Sequence, residues 1–195
     1  MISKQILLNY GAEEKFYKKN EIVFLEGSRA DYFYQVKTGK VKMYNLGEDG
    51  KEFIQGMFGK GESFGEPPIF CDFPFPANAA ATVESTLFRL RKDSFFEILK
   101  EHHDIHLKLT QVLSNRLHYK SMIMKEVSVH SSEHRILTLL NYLKKQDQTT
   151  EDFEINLTRK QISELTGLRV ETVIRAIKKL EVEDKLKIVN RKILV

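Results

Sequence analysis

The chain has 195 residues, 42% of them hydrophobic and 30% charged, with four prolines, one cysteine and a net charge of +4. At roughly 150 residues per domain this is one large domain or two small ones, and the balance of apolar and charged residues excludes a largely disordered chain. The single thiol, Cys71, excludes an internal disulfide framework, a multi-cysteine zinc site and a four-thiolate iron–sulfur cluster.

The first ten residues, Met1 to Tyr10, lack a long apolar core and a small-residue cleavage site. No uncharged apolar stretch approaches the ~20 residues that span a bilayer. With the thiol economy of a reducing compartment, the expectation is a cytoplasmic protein with no membrane partner.

Residues 16 to 91 alternate short β-prone runs with glycines. Ile22 to Leu25, Tyr32 to Val36, Val41 to Tyr44, Phe53 to Phe58 and Leu87 to Leu90 predict strands, and Asp49-Gly50 predicts a hairpin. Short strands at this spacing predict an antiparallel sandwich or small barrel.

After Lys92 the apolar period lengthens. Ile105, Leu109, Val112, Arg116, Tyr119 and Ile123 recur at alternating four and three, drawing one seam along a long helix. Leu113 and Leu117 form a second apolar edge. The length, about 24 residues without Gly or Pro, favours a dimer seam over a helix that only faces its own core. A second helix is predicted over Glu133 to Lys145, followed by a polar loop from Gln146 to Asp152.

From Asn156 onward ten basic residues face five acidic ones, an excess larger than that of the whole chain. Charge alone leaves two readings open, a polyanion-binding segment or an ordinary lysine-rich surface. Thr158-Arg-Lys-Gln161 is a capping box that starts a helix, and Gly167 ends it. A second helix follows from about Arg169 to Glu181, which makes a helix-turn-helix.

On the wheel of that second helix, Val173, Ala176, Ile177 and Leu180 share one side and are expected to pack on Ile162 and Leu165. Glu171, Arg175 and Lys178 project from the other, flanked by Ile174 and Lys179. A plain surface helix would use Glu171 and Arg175 as an i,i+4 ion pair worth a few tenths of a kcal/mol. A recognition helix would aim Arg175 at guanine, Glu171 at cytosine N4 and Ile174 at a thymine methyl. Lys178, Lys179, Arg159, Lys160 and Arg169 would then neutralise phosphates. The chain ends in two β-prone runs around Asn190-Arg191, a small hairpin or wing.

The segment Gly167-Leu-Arg-Val-Glu-Thr-Val-Ile-Arg175, followed by Ala176-Ile-Lys-Lys-Leu-Glu181, resembles the winged-helix signature of the Crp/Fnr family of bacterial transcription regulators. Lys18 to Phe24, Tyr34 to Val41 and Gly61-Glu-Ser-Phe-Gly-Glu66 resemble that family's cyclic-nucleotide-binding β-roll. The resemblance implies an α+β chain with an antiparallel β-roll (double-stranded β-helix) sensor over 1–103, a dimerisation helix over 104–130 and a winged helix-turn-helix over 131–195. It implies a homodimer on a pseudo-palindromic double-stranded DNA operator, with RNA polymerase as a further partner.

In the family's cyclic-nucleotide binders an Arg-Ser pair holds the cyclic phosphate; here Ala77 and Asn78 stand in its place, beside Gly65 and a retained Glu66. Loss of the arginine removes about 1.5–3 kcal/mol of charge-assisted hydrogen bonding. Lys120 and Ser121 align with positions that contact the base. The effector is therefore expected to be something other than cyclic AMP, with a constitutive regulator carrying a vestigial pocket as the alternative; no cofactor is required.

The rival from another class is a cupin-type metalloenzyme, whose metal needs histidines on barrel strands. All six histidines lie beyond residue 100. His102/His106 and His130/His134 have i,i+4 spacing but read as helix-surface histidines, and Cys71 as a buried, inert thiol. No catalytic constellation and no metal site are expected, so the chain reads as a non-enzyme.

Overall fold

The computed structural model describes residues 1–47, 50–147, 153–190 and 192–195, leaving aside the side chains of residues 123, 125–129 and 146. Asp49 of the hairpin signal, residues 148–152 of the polar loop, Arg191 of the wing and the side chain of Ile123 lie outside the described residues. Packing divides the chain into two units, Met1–Ser114 and Asn115–Val195. The division falls inside the long helix, whereas the sequence treats that helix as a segment of its own.

The first unit opens with helix α1 (Lys4–Asn9) and strands β1 (Glu13–Tyr17), β2 (Ile22–Phe24), β3 (Tyr32–Thr38), β4 (Val41–Leu46), β5 (Glu52–Phe58) and β6 (Ser63–Phe64). Helix α2 (Pro67–Cys71), strands β7 (Asn78–Ala81) and β8 (Ser85–Arg91) and helix α3 (Lys92–Glu101) follow. Two four-stranded antiparallel sheets form, ordered β1-β8-β3-β6 and β2-β7-β4-β5. This is the expected antiparallel β architecture, with strands β1, β6 and β7 added to those legible in the sequence.

Aromatic rings hold the unit together. Phe33 stacks on Phe95 of α3 at 4.3 Å between centroids, fastening that helix to the first sheet. Inside the roll Phe24 stacks on Phe75 at 3.7 Å, and Phe64 and Tyr34 close around them. Between β3 and β4 the chain turns at Gly39, where φ is +88° and a Cβ would sit 2.2 Å from Ser85 Oγ, so no other residue fits.

Helix α4 (His103–Val129) crosses from the first unit into the second. Here the expected seam needs correcting. Ile105 and Leu109 are 5% and 1% exposed and belong to the first unit's own core, so they are not available to a partner chain. Leu113, placed on the second edge, packs against that same core. Tyr119 is likewise engaged, against the second unit's core and 4.3 Å from the ring of Tyr142. Val112 and Arg116 are half-buried.

The second unit contains the end of α4, helix α5 (Ser132–Gln146), strand β9 (Glu154–Ile155), helices α6 (Arg159–Thr166) and α7 (Val170–Val182), and strands β10 (Lys187–Val189) and β11 (Lys192–Leu194). The terminal hairpin pairs Ile188 with Ile193, and β9 adds a third strand on the β11 side. Ile136, Leu139 and Leu140 of α5, Ile162 of α6 and four residues of α7 share one core with Ile155, Leu186 and Ile193. Among the described residues no helix is long and apolar enough to cross a membrane.

Candidate nucleic-acid interface

The helix-turn-helix forms as its sequence dictates. Thr158 Oγ1 accepts from the Gln161 N–H at 3.1 Å, and Gln161 Oε1 accepts from the Thr158 N–H at 2.9 Å, the reciprocal capping box. Helix α6 ends at Gly167 in the left-handed conformation, and Ser163 Oγ donates to the Leu168 carbonyl at 2.5 Å across the turn. Helix α7 starts one residue later than expected, with Arg169 as its N-cap and no side chain capping its first turn.

Val173, Ala176, Ile177 and Leu180 are at most 3% exposed. Their burial fixes the rotation of α7 about its axis. Glu171, Ile174, Arg175 and Lys178 then fall on the outward side and are all exposed, Ile174 at 41%. Glu171 and Arg175 form no ion pair with each other, and among the described residues neither has a polar side-chain partner. The surface-pair reading of these two therefore has no support in the structure, which leaves a carboxylate, a guanidinium and an ammonium facing outward from one locked helix.

The expected phosphate contacts divide. Arg169 is exposed, and Lys160 is exposed with its ammonium 3.6 Å from Glu164. Arg159 is half-buried; burial pushes its guanidinium below its ordinary value, with Glu181 opposing the shift. Together with Thr158 and Lys192 it lines a groove at the start of α6. Lys192 and Lys187 are exposed on the hairpin, positions the site reading left out. Their signal was two basic residues flanking a β-prone pair of runs.

Lys179, among the expected phosphate contacts, already has a partner within the protein. It occupies the last turn of α7, about 12 Å along the axis from Glu171, and its ammonium lies 3.1 Å from Glu133 Oε1 in the first turn of α5. Backbone N–H donation at the helix start, Lys179 and then Ser131 hold the Glu133 carboxyl down at about 2.

The sensor residues lie in the first unit, except for Lys120 and Ser121, which are exposed on the part of α4 that belongs to the second. Glu66 is 1% exposed and accepts from Ser63 Oγ. Ala77 is fully buried, and Asn78 Oδ1 accepts from the Glu26 N–H at 3.0 Å. A Cβ on Gly65 would come within 3.0 Å of the Phe75 ring and 3.1 Å of the Phe24 ring, so the aromatic pair fills the space beside it.

This arrangement, a β-roll followed by a winged helix-turn-helix with an outward charged helix, defines a class of DNA-binding regulators. Residues 14–102 match the cyclic nucleotide-binding domain family, and residues 134–195 match the Crp-like helix-turn-helix domain family. The chain is 27% identical over 169 residues to the cAMP-activated global transcriptional regulator CRP of Salmonella typhimurium, covering 85% of this chain and 80% of that protein. It is 26% identical over 165 residues to a CRP-like cAMP-activated global transcriptional regulator of Mycobacterium tuberculosis, covering 83% of this chain and 74% of the relative. The structure of FixK2 from Bradyrhizobium japonicum superposes with a TM-score of 0.75 at 25% identity, over 94% of this chain and 92% of that one. The chain belongs to the Crp/Fnr family of transcription regulators and is not an enzyme.

The Glu133 carboxyl gives a test of the α5–α7 tie. Its folded value of about 2 lies below the 4.5 of the free side chain, so its contribution is present above pH 4.5 and is lost as pH falls toward 2. Allowing for solvent around Lys179, we expect Glu133→Gln to cost about 1 kcal/mol at pH 7. Urea titrations of both proteins should show that difference shrinking toward pH 2; a difference independent of pH would contradict the assignment.

Proposed function

We propose that the protein binds a pseudo-palindromic DNA operator as a homodimer and thereby controls transcription, with RNA polymerase as its functional partner. The observation that carries this reading is the unpaired outward strip of Glu171, Ile174, Arg175 and Lys178 on a helix whose back is locked into the core. Arg175 donates both N–H groups to guanine O6 and N7, Glu171 accepts from cytosine N4, and Ile174 meets a thymine methyl. Lys178, Arg169, Lys160 and Arg159 neutralise phosphates and supply the salt-dependent part of the affinity. The two α7 helices reach successive major grooves about 34 Å apart.

For the dimer contact the observed burial favours a stripe different from the one first drawn. Leu107, Thr110, Ser114, Leu117, Ser121 and Met124 recur at three and four along α4 and are all exposed, with Leu107, Leu117 and Met124 at 53%, 67% and 69%. This is the 3.5-residue repeat of a two-helix seam, roughly 150° around the helix from Ile105 and Leu109. Exposed leucines at heptad spacing are best explained by a second copy of α4.

Two of the relatives are, by name, cAMP-activated. For this chain we infer a different effector, because fully buried Ala77 offers no charge to a phosphate. A second reading, a regulator that needs no effector, is favoured by Phe75. Its ring is 3% exposed against Phe24, and its backbone bonds both ways to the 27–28 turn, at 2.8 Å and 2.9 Å. Thermal melts with cyclic AMP discriminate here, since a ligand at 100 times its dissociation constant adds about 2.7 kcal/mol. No stabilisation is expected, and a saturable rise would overturn both statements about the effector.

In vitro selection from a random duplex pool should return a two-fold-related site. On it Arg175→Ala should cost about 1–3 kcal/mol and flatten discrimination at one base position per half-site. Equal binding of wild type and variant to selected and scrambled DNA would refute the base-reading role. Leu117→Glu should convert the dimer to a monomer in light scattering while leaving the melting temperature of the roll unchanged. An unaltered dimer would move the seam elsewhere.

A further inference from the structure

One face of the first sheet gathers an arginine and three tyrosines that the regulator reading does not use. The register sets Arg89 of β8 opposite Glu13 of β1 on one side and Tyr34 of β3 on the other. The two-residue alternation of strands brings Tyr32 and Tyr17 to the same face. The Arg89 guanidinium lies 4.3 Å from the centroid of the Tyr32 ring, and the Tyr32 and Tyr34 rings are 6.5 Å apart. Lys15, on the same face of β1, holds its ammonium 5.5 Å from the Tyr17 ring, a second cation on this face.

The arginine is only half satisfied. Its Nη2 donates to Glu13 Oε2 at 2.7 Å, while the buried Nε–H meets no acceptor among the described residues. Nε and Nη2 form one edge of the guanidinium, which a carboxylate or phosphate takes with two oxygens at once. A buried donor without an acceptor is costly. The hydroxyls of Tyr17, Tyr32 and Tyr34 also have no hydrogen-bond partner among the described residues, but unlike Arg89 Nε they reach solvent. Glu13 itself is a weak occupant, since its side chain is 67% exposed and exposed pairs hold loosely.

We propose that this corner of the roll binds a small oxyanion, a carboxylate or a phosphate, which displaces Glu13, bonds Arg89 through both Nε and Nη2 and accepts from the tyrosine hydroxyls. Exchange of one anion for another keeps the guanidinium neutralised, and Lys15 adds attraction for a ligand of higher charge. Tyr34 links the corner to the roll interior, because its ring also packs 5.7 Å from those of Phe24 and Phe64.

The test follows the Arg89 Nε–H resonance of the full chain, assigned with Arg89→Lys, during titration with inorganic phosphate and, separately, with acetate, against sodium chloride at equal ionic strength. The expected result is a saturable shift of that resonance, with other arginine side chains unmoved, in at least one anion arm and not in chloride. The arm that responds identifies phosphate or carboxylate chemistry. Glu13→Gln should tighten binding about two- to fivefold by removing the competing carboxylate, and Tyr34→Phe should weaken it about three- to tenfold. The absence of a saturable shift in both anion arms, for wild type and Glu13→Gln alike, overturns the proposal, as does an equal response to chloride. The readout involves no DNA, so its failure leaves the operator-binding reading untouched.

Discussion

The burial of Val173, Ala176, Ile177 and Leu180 is the constraint on which the functional surface depends. A helix of thirteen residues has no preferred rotation of its own. These four side chains, packed in one core with Ile136, Leu139, Leu140 and Ile162, choose one. Each contributes on the order of 1–3 kcal/mol by leaving water, far more than the few tenths that a surface ion pair between Glu171 and Arg175 could return. Apolar burial therefore decides which way α7 faces, and the charged residues go where it leaves them. The capping box at Thr158 and the left-handed turn at Gly167 fix where α7 begins.

A comparable economy governs the β-roll. A pocket for an anionic ligand requires space and a compensating charge, and Ala77 brings no charge to the place where an arginine was looked for. Ala77 is buried, and the Phe24–Phe75 stack occupies the volume beside Gly65. Proline on both sides of Phe75 stiffens that loop. Among the described residues a buried polar atom without a partner is instead found on the first sheet, at Arg89 Nε. The fold is common to the family; the chemistry presented inside it belongs to this sequence.

Much of this was legible beforehand. Strands rich in Val, Ile, Phe and Tyr declared themselves, as did α5, α6 and the buried stripe of α7, because each carries the period of its element. Strand β7 did not, since Asn78-Ala-Ala-Ala81 has low β-propensity and is a strand only because small residues fit between β2 and β4. The two-residue strands β6 and β9 are too short to carry a period. On α4 the sequence shows a period but not which stripe faces the chain's own core. Two stripes share a near-3.5 repeat, and sequence alone does not say which one the molecule's own core consumes; Ile105 and Leu109 went inward, and Leu117 and Met124 stayed out. The Lys179–Glu133 pair was not legible for a related reason, its two residues lying 46 positions apart.

The most direct measurement follows the protein's NMR signals during titration with duplex DNA recovered by selection. The account predicts the largest changes at Glu171, Ile174, Arg175 and Lys178, with the buried side chains of Val173, Ile177 and Leu180 little affected. Saturable binding that perturbs another face and leaves those four residues unchanged would contradict it.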